Sequence, residues 1–338
     1  MHQLSALFVT TLVLAATACT PPSSAANDSN ASSAPSMSAT ASQAPLTSQL
    51  IAHFDAAAGE LPEGLIVTAD SAYVGFAPTS RVMRVDTDTG DATPYGQLPI
   101  AVSGQGFMTG LARSAAGEVY AGLASFVPEV QAGIYRIPKA GGAATLFAKD
   151  SALPFPNALA FDHDGALFAT DSGTGSVFRI DQSGRAERWV TGNALIGDKE
   201  ACGAAGPGFA IGANGIIVEP DAVYVVNMDQ ATLVKIPREA SGKAGTPSVI
   251  AGPDCDALGG ADGLVRAPDG SFVVAVNRQN KIVRIDSGGA VTTIASGAPL
   301  DFPATVAYRD STLFASNFAL KNASTGKPAA PGIVRLAR

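Results

Sequence analysis

A single phrase recurs through most of this chain and dictates its architecture. It runs as a small or polar residue, an apolar strand, a tight turn, a second apolar strand, a polar loop, and a third strand ending in Arg/Lys then Ile/Val. The clearest copies are residues 157–181 (NALAFDHDGALFATDSGTGSVFRID) and 262–286 (DGLVRAPDGSFVVAVNRQNKIVRID). Others are residues 63–86, 214–237, 109–138 with a longer loop, and 304–338. Most continue into a fourth short apolar segment, such as AERWVTG at 186–192 or VTTIASG at 291–297. Strands joined by Asp-Gly-type turns form antiparallel sheets, and a four-strand unit returning every ~40–60 residues has the period of propeller blades. The chain is therefore expected to be all-β: a six-bladed β-propeller with four-stranded antiparallel blades. The sixth copy stops after its third strand. Residues 49–54 (QLIAHF), just ahead of the first copy, supply the missing outer strand and close the ring, so that no blade edge is left unpaired. Residues 48–338 then form one domain.

Residues 1–18 have the form of a signal peptide. Their apolar run, 4–18, is too short to span a bilayer comfortably. It ends in Ala16-Thr17-Ala18, followed directly by Cys19, a pattern that resembles a bacterial lipoprotein signal with Cys19 acylated. An ordinary secretory cut after Ala18 is the alternative. Residues 19–47, rich in Ser, Ala and Pro, are expected to be a flexible tether. The protein is thus expected to be exported, periplasmic or on the outer membrane, touching the membrane only through its lipid, and monomeric. With Cys19 lipidated, Cys202 and Cys255 remain as an even pair and are expected to form a disulfide in an oxidising compartment, two buried thiols being the alternative. Lys and Arg number 22 against 29 Asp and Glu, a net charge of −7 that repels phosphate and excludes a typical nucleic-acid binder.

In a propeller the innermost strand of every blade starts beside the central channel on one face. The residues at that start are Glu63, Thr109, Asn157, Asn214, Asp262 and Ala304. Four of the six carry hard oxygen ligands, two charged and two neutral, which suits Ca²⁺ or another divalent cation with six to eight oxygens. Zinc favours nitrogen or sulfur, absent from this column. Asn or Asp before Gly also makes ordinary turns. Turn-making does not account for four such residues together with Glu63 among them.

The ordered set Glu63 (in PEG), Asn157 (in PNALAFDHDG), Asn214 (in ANGI) and Asp262 (in ADGL) resembles the senescence marker protein/gluconolactonase family. That family includes regucalcin and is related to diisopropyl fluorophosphatase and the paraoxonases. The resemblance covers essentially all of residues 61–338. It implies a six-bladed propeller, a catalytic calcium or other divalent ion held by Glu63, Asn157, Asn214 and Asp262, and hydrolysis of lactones or related esters. It also gives Asp262 a second role as general base or nucleophile.

Loops between the second and third strands bring Asp171, Asn227, Asn277 and Asn317 to the same face. They could contact substrate or support the ligands, or only terminate strands and cap loops. Thr109 and Phe155 complete the candidate substrate contacts. Phe155 stands two residues before Asn157, where sugar-lactonase members of that family carry Arg, and Phe107 and Phe302 hold the same offset before Thr109 and Ala304. Such a mouth is apolar and fits a hydrophobic lactone or ester, unless the rings only pack between blades. A different class stays open: a non-catalytic propeller that binds a protein, glycan or small ligand, as NHL-repeat proteins do.

Overall fold

The computed structural model describes residues 45–202 and 209–338. The expected signal segment, Cys19 and the tether as far as residue 44 lie outside them. The described strands form six sheets, each built on a four-stranded antiparallel blade; in five the strands follow in chain order from inside to outside, and the sixth takes its outer strand from the start of the described chain. Blade 1 alone gains a fifth, two-residue strand, Gly142–Ala143, which pairs parallel to its outer strand Ala92–Gln97.

Period-two patterning explains why blades stack rather than face water. In the second strand of blade 3, Leu167 and Ala169 point into the layer shared with blade 2, while Phe168 points into the layer shared with blade 4. The corresponding strand of blade 5 sends Phe272, Val274 and Val276 one way and Val273 and Ala275 the other. Successive side chains of a strand face opposite sides. A strand covered on both faces therefore becomes a continuous apolar run instead of an alternating one. One apolar layer lies between each pair of neighbouring blades, including blades 6 and 1.

The ring closes as the repeats predict. Strand Thr47–His53 pairs antiparallel with the last strand, Gly332–Ala337, as the outer strand of blade 6. It starts two residues earlier than the apolar run 49–54 suggests and takes in Thr47, assigned above to the tether. The Thr47 hydroxyl donates to the Ala337 carbonyl at 2.8 Å, extending the ladder past the apolar residues. Blade 1 then stacks on this strand through Gly90, whose positive φ of 81° turns the chain ahead of the outer strand of blade 1. A Cβ there would lie 2.2 Å from the Ile51 carbonyl oxygen, so only glycine fits.

Cys202 and Cys255 are disulfide-bonded, joining the segment ahead of the inner strand of blade 4 to the short helix Cys255–Leu258 ahead of that of blade 5. The bond spans a sequence separation of 53, and such a cross-link restricts the unfolded chain enough to stabilise by ~2–4 kcal/mol. Replacing both cysteines by Ala is expected to lower the unfolding free energy by that amount in a urea titration, with the sheet signal of the native state unchanged.

Candidate metal centre on the propeller axis

The inner strands are Pro62–Val67, Gly106–Arg113, Pro156–Phe161, Ala213–Val218, Ala261–Arg266 and Pro303–Arg309. Each carries one extra residue relative to its neighbour near its start, a β-bulge: Pro62 pairs with Phe76 but Gly64 with Gly75, and Ala261 pairs with Val276 but Leu264 with Val274. The same slip occurs in the other four blades. Glu63, Thr109, Asn157, Asn214, Asp262 and Ala304 all fall within these slips. A bulge breaks the alternation and re-aims the side chain it carries, which here turns one residue per blade out of the sheet.

Close packing of the inner strands keeps these six residues adjacent around the ring. A Cβ on Gly215 would sit 2.2 Å from the carbonyl oxygen of Asp262, so the missing side chain lets blade 4 meet blade 5 at the column. Elsewhere hydroxyls make the junction: Thr305 and Ser316 donate to the Glu63 carbonyl at 2.9 and 2.7 Å, and Thr170 donates to the Asn214 carbonyl at 2.8 Å. Thr109 spends its own hydroxyl in the same way, on the Pro156 carbonyl at 2.7 Å, and is fully buried. Ala304 is also fully buried, whereas Glu63, Asn157, Asn214 and Asp262 keep 7, 6, 2 and 7% exposure. Of the six, the four candidate ligands are thus the ones that keep some exposure.

Around them the side chains are ordered. Asn277 donates its amide to Asp262 Oδ2 at 2.7 Å, and Asn214 also bonds to Asp262. Asn157 donates to the Ser172 hydroxyl at 2.8 Å, and the Ser172 hydroxyl donates to the Ala213 carbonyl at 2.7 Å. With its amide nitrogen engaged, Asn157 has its oxygen left for another partner. Glu63 Oε2 and Asn277 Oδ1 are buried and accept no hydrogen bond. Buried polar atoms are rarely left unpaired. Two carboxylates at one buried site are harder still to accommodate without a cation.

Burial is the largest influence on both acids. It lifts Glu63 well above the usual carboxylate range, and the negative charge of Asp262 adds to the rise. Asp262 is pushed up to about 7, with the hydrogen bonds from Asn277 and Asn214 and the charge of Arg278 holding it down. Among the described residues no group of three or more His, Cys, Asp or Glu side chains gathers as a metal site. The set on the axis instead combines two acids with amide oxygens. Hard, partly anionic oxygen donors with orphaned lone pairs fit a calcium-type ion.

The other candidate residues divide. Asn277 joins the acid pair. Asp171, Asn227 and Asn317 lie on the mouth side as expected, but they are fully buried and their side chains bond to loop backbone. Asp171 accepts from the Phe155 amide at 2.8 Å and from the Thr174 amide at 2.7 Å. Asn227 donates to the Ala194 and Ile196 carbonyls, and Asn317 to those of Pro299 and Ala330. These three fix the loops that carry the mouth. Phe155 is 2% exposed and sits among Phe107, Phe126 and Phe209.

Three further residues belong to the site. Ser172 occupies in blade 3 the place that Asn277 occupies in blade 5, one position beyond the end of the second strand, and each bonds the column residue of its own blade. Arg278, beside Asn277, donates to Asp229 Oδ1 at 2.8 Å, and Asp229 Oδ2 accepts from the Ile211 amide at 2.7 Å. The adjacency of Arg278 to Asn277 is the signal in the sequence that could have found it.

No protein-family model matches the chain, and no curated protein matches it either. Solved structures do. Regucalcin from Agrobacterium tumefaciens, described as a calcium-binding protein, is 20% identical with a TM-score of 0.61, over 87% of this chain and 94% of that one. A putative gluconolactonase is 13% identical with a TM-score of 0.60, over 86% and 92%. The PQQ-bound aldose sugar dehydrogenase of Streptomyces coelicolor is 20% identical with a TM-score of 0.62, over 87% and 99%. The fold is theirs: a six-bladed propeller. At these identities the likeness speaks for architecture, and function has to be argued from the axis.

Proposed function

We propose that this protein is a calcium-dependent hydrolase of lactones or related esters, exported and anchored through a lipid on Cys19. The observation that carries the catalytic part is the pair of buried carboxyls, Glu63 and Asp262, set among amide oxygens with Glu63 Oε2 left unpartnered. The structural likeness to regucalcin and a putative gluconolactonase supports it.

Glu63, Asn157, Asn214 and Asp262 would hold the ion. A bound divalent cation would offset the two negative charges and polarise the substrate carbonyl. The residues divide the remaining work. Asn157 and Asn214 contribute oxygen without charge, so that with Glu63 and Asp262 the site would roughly balance a 2+ ion. Asn277 holds the Asp262 carboxyl through Oδ2, which sets its orientation on the axis. Asp262 takes a proton from water as the water oxygen bonds to the carbonyl carbon. The acyl C–O bond then breaks, Asp262 returns that proton to the leaving alkoxide oxygen, and a hydroxy acid is released.

The test is a panel of γ- and δ-lactones and p-nitrophenyl esters assayed in calcium and after EDTA, with calcium binding followed by calorimetry. Calcium-dependent turnover supports the assignment. A protein that binds no divalent ion and turns over nothing is instead a binding propeller. Within the hydrolase, Asn277→Ala should weaken calcium binding by ~10-fold or more, since groups that orient a ligand typically contribute that much. Titration calorimetry reads the change directly.

A further inference from the structure

Beside the axis lies a second arrangement that the acid pair does not use. Phe107, Phe126, Phe155 and Phe209 come from blade 2, the loop ahead of blade 3 and the segment ahead of blade 4, and their rings meet on the mouth face. Phe155 is in contact with all three others, with centroids 5.4 Å from Phe107, 5.8 Å from Phe126 and 6.1 Å from Phe209, and Phe126 lies 5.9 Å from Phe209. Most of these contacts are edge-to-face, which is the favoured packing of aromatic rings. Two rings form the floor: Phe155 is 2% exposed and Phe107 is half-buried. The other two are 48% (Phe126) and 39% (Phe209) exposed.

The cluster is wired to the column. The Phe155 amide donates to Asp171, and the Phe155 carbonyl accepts from the Ser172 amide at 3.2 Å. The Ser172 hydroxyl in turn holds Asn157. Phe107 precedes Thr109 on the same inner strand. An apolar patch rigidly joined to polar oxygens calls for a ligand with both characters. The ion pair of Arg278 with Asp229 belongs to blades 5 and 4.

We propose that these four phenylalanines form a subsite for the hydrocarbon part of an amphiphilic substrate, a lactone or ester bearing an alkyl or aryl substituent of several carbons, whose polar end lies on the axial oxygens. The assignment rests on the hydrolase reading only for that polar end. The exposed faces of Phe126 and Phe209 are the surfaces the substituent covers, and their burial supplies the discrimination. Short, hydroxyl-rich lactones gain nothing there.

The experiment uses 5-alkyl-2-pyrrolidinones from methyl to hexyl, lactam counterparts of γ-alkyl lactones that resist turnover, titrated calorimetrically into the calcium-loaded protein. Affinity is expected to rise roughly three- to fourfold per added methylene, the increment for burying a CH₂. In Phe126→Ala, Phe209→Ala and the double variant that dependence should flatten. Leu146→Ala, on an exposed outer strand of blade 2, should leave it intact. Both phenylalanines are surface residues, so the variants should melt within a few degrees of the parent. Chain-length independence in the parent protein, or a dependence that survives the double variant, overturns the proposal. So does a stable dimer that both Phe substitutions dissociate, because a second copy would then cover the patch. Chain-length dependence without hydrolysis of any lactone keeps the subsite and removes the hydrolase reading.

Discussion

Asp262→Asn is expected to lower kcat for lactone hydrolysis by roughly 10²–10⁴-fold at saturating calcium, the range by which a positioned base accelerates such chemistry. The substitution keeps shape and one oxygen donor but removes the group that accepts the proton. Glu63→Gln should behave differently. It also removes one charge from the axis, yet no proton transfer is assigned to Glu63, so its main effect should be on calcium affinity, with kcat largely recovered once the site is filled. The two variants therefore separate holding the ion from moving the proton. Asn277→Ala adds a third point, since it leaves the Asp262 carboxyl in place while freeing the oxygen that Asn277 holds at 2.7 Å. Turnover by Asp262→Asn equal to that of the parent would leave the base unassigned and remove this mechanism.

The architecture was open to reading from residues because it rests on local, repeated signals. Apolar runs, Asp-Gly-type turns and a sixth copy lacking its last strand are all properties of short segments, and the completed ring follows from counting them. The column was legible for the same reason. Glu63, Asn157, Asn214 and Asp262 hold the same place in their repeats, and one bulge per blade preserves that equivalence in three dimensions. What the sequence did not carry were contacts made between repeats. Nothing in a run of residues states that Arg278 of blade 5 will reach Asp229 of blade 4, or that the Ser172 hydroxyl will bridge Asn157 to the Ala213 carbonyl. Asp171, Asn227 and Asn317 show the same limit from the other side. Their position at the ends of second strands was legible, but the turn of their side chains towards loop backbone depends on where those loops pack. The start of the closing strand at Thr47 was missed because a Thr–carbonyl hydrogen bond, not an apolar residue, extends it.

The stability of the metal-free protein is expected to fall as pH rises from about 4 to about 7, and calcium is expected to remove most of that loss. In the unfolded chain Asp262 would titrate near ~3.9, whereas burial in the fold pushes it up to about 7. Between those values the folded state holds a proton that the unfolded state has released. This stabilising contribution is complete below the unfolded value and disappears as pH passes the folded one. Glu63, raised for the same reason with the Asp262 charge added, acts in the same direction. Asp70, Asp86, Asp181 and Asp269 are lowered by their hydrogen bonds. They act in the opposite sense, but below about pH 4, outside this window. A cation binds the deprotonated pair, so its effect should be small near pH 5 and large near pH 8. Melting curves in EDTA and in calcium should therefore lie close together at the lower pH and separate by on the order of 5–10 °C at the higher. In Asp262→Asn the separation should shrink and the fall with pH in EDTA should flatten, because the asparagine holds no proton to lose. A calcium-induced shift that is the same at both pH values would place the ion away from Glu63 and Asp262.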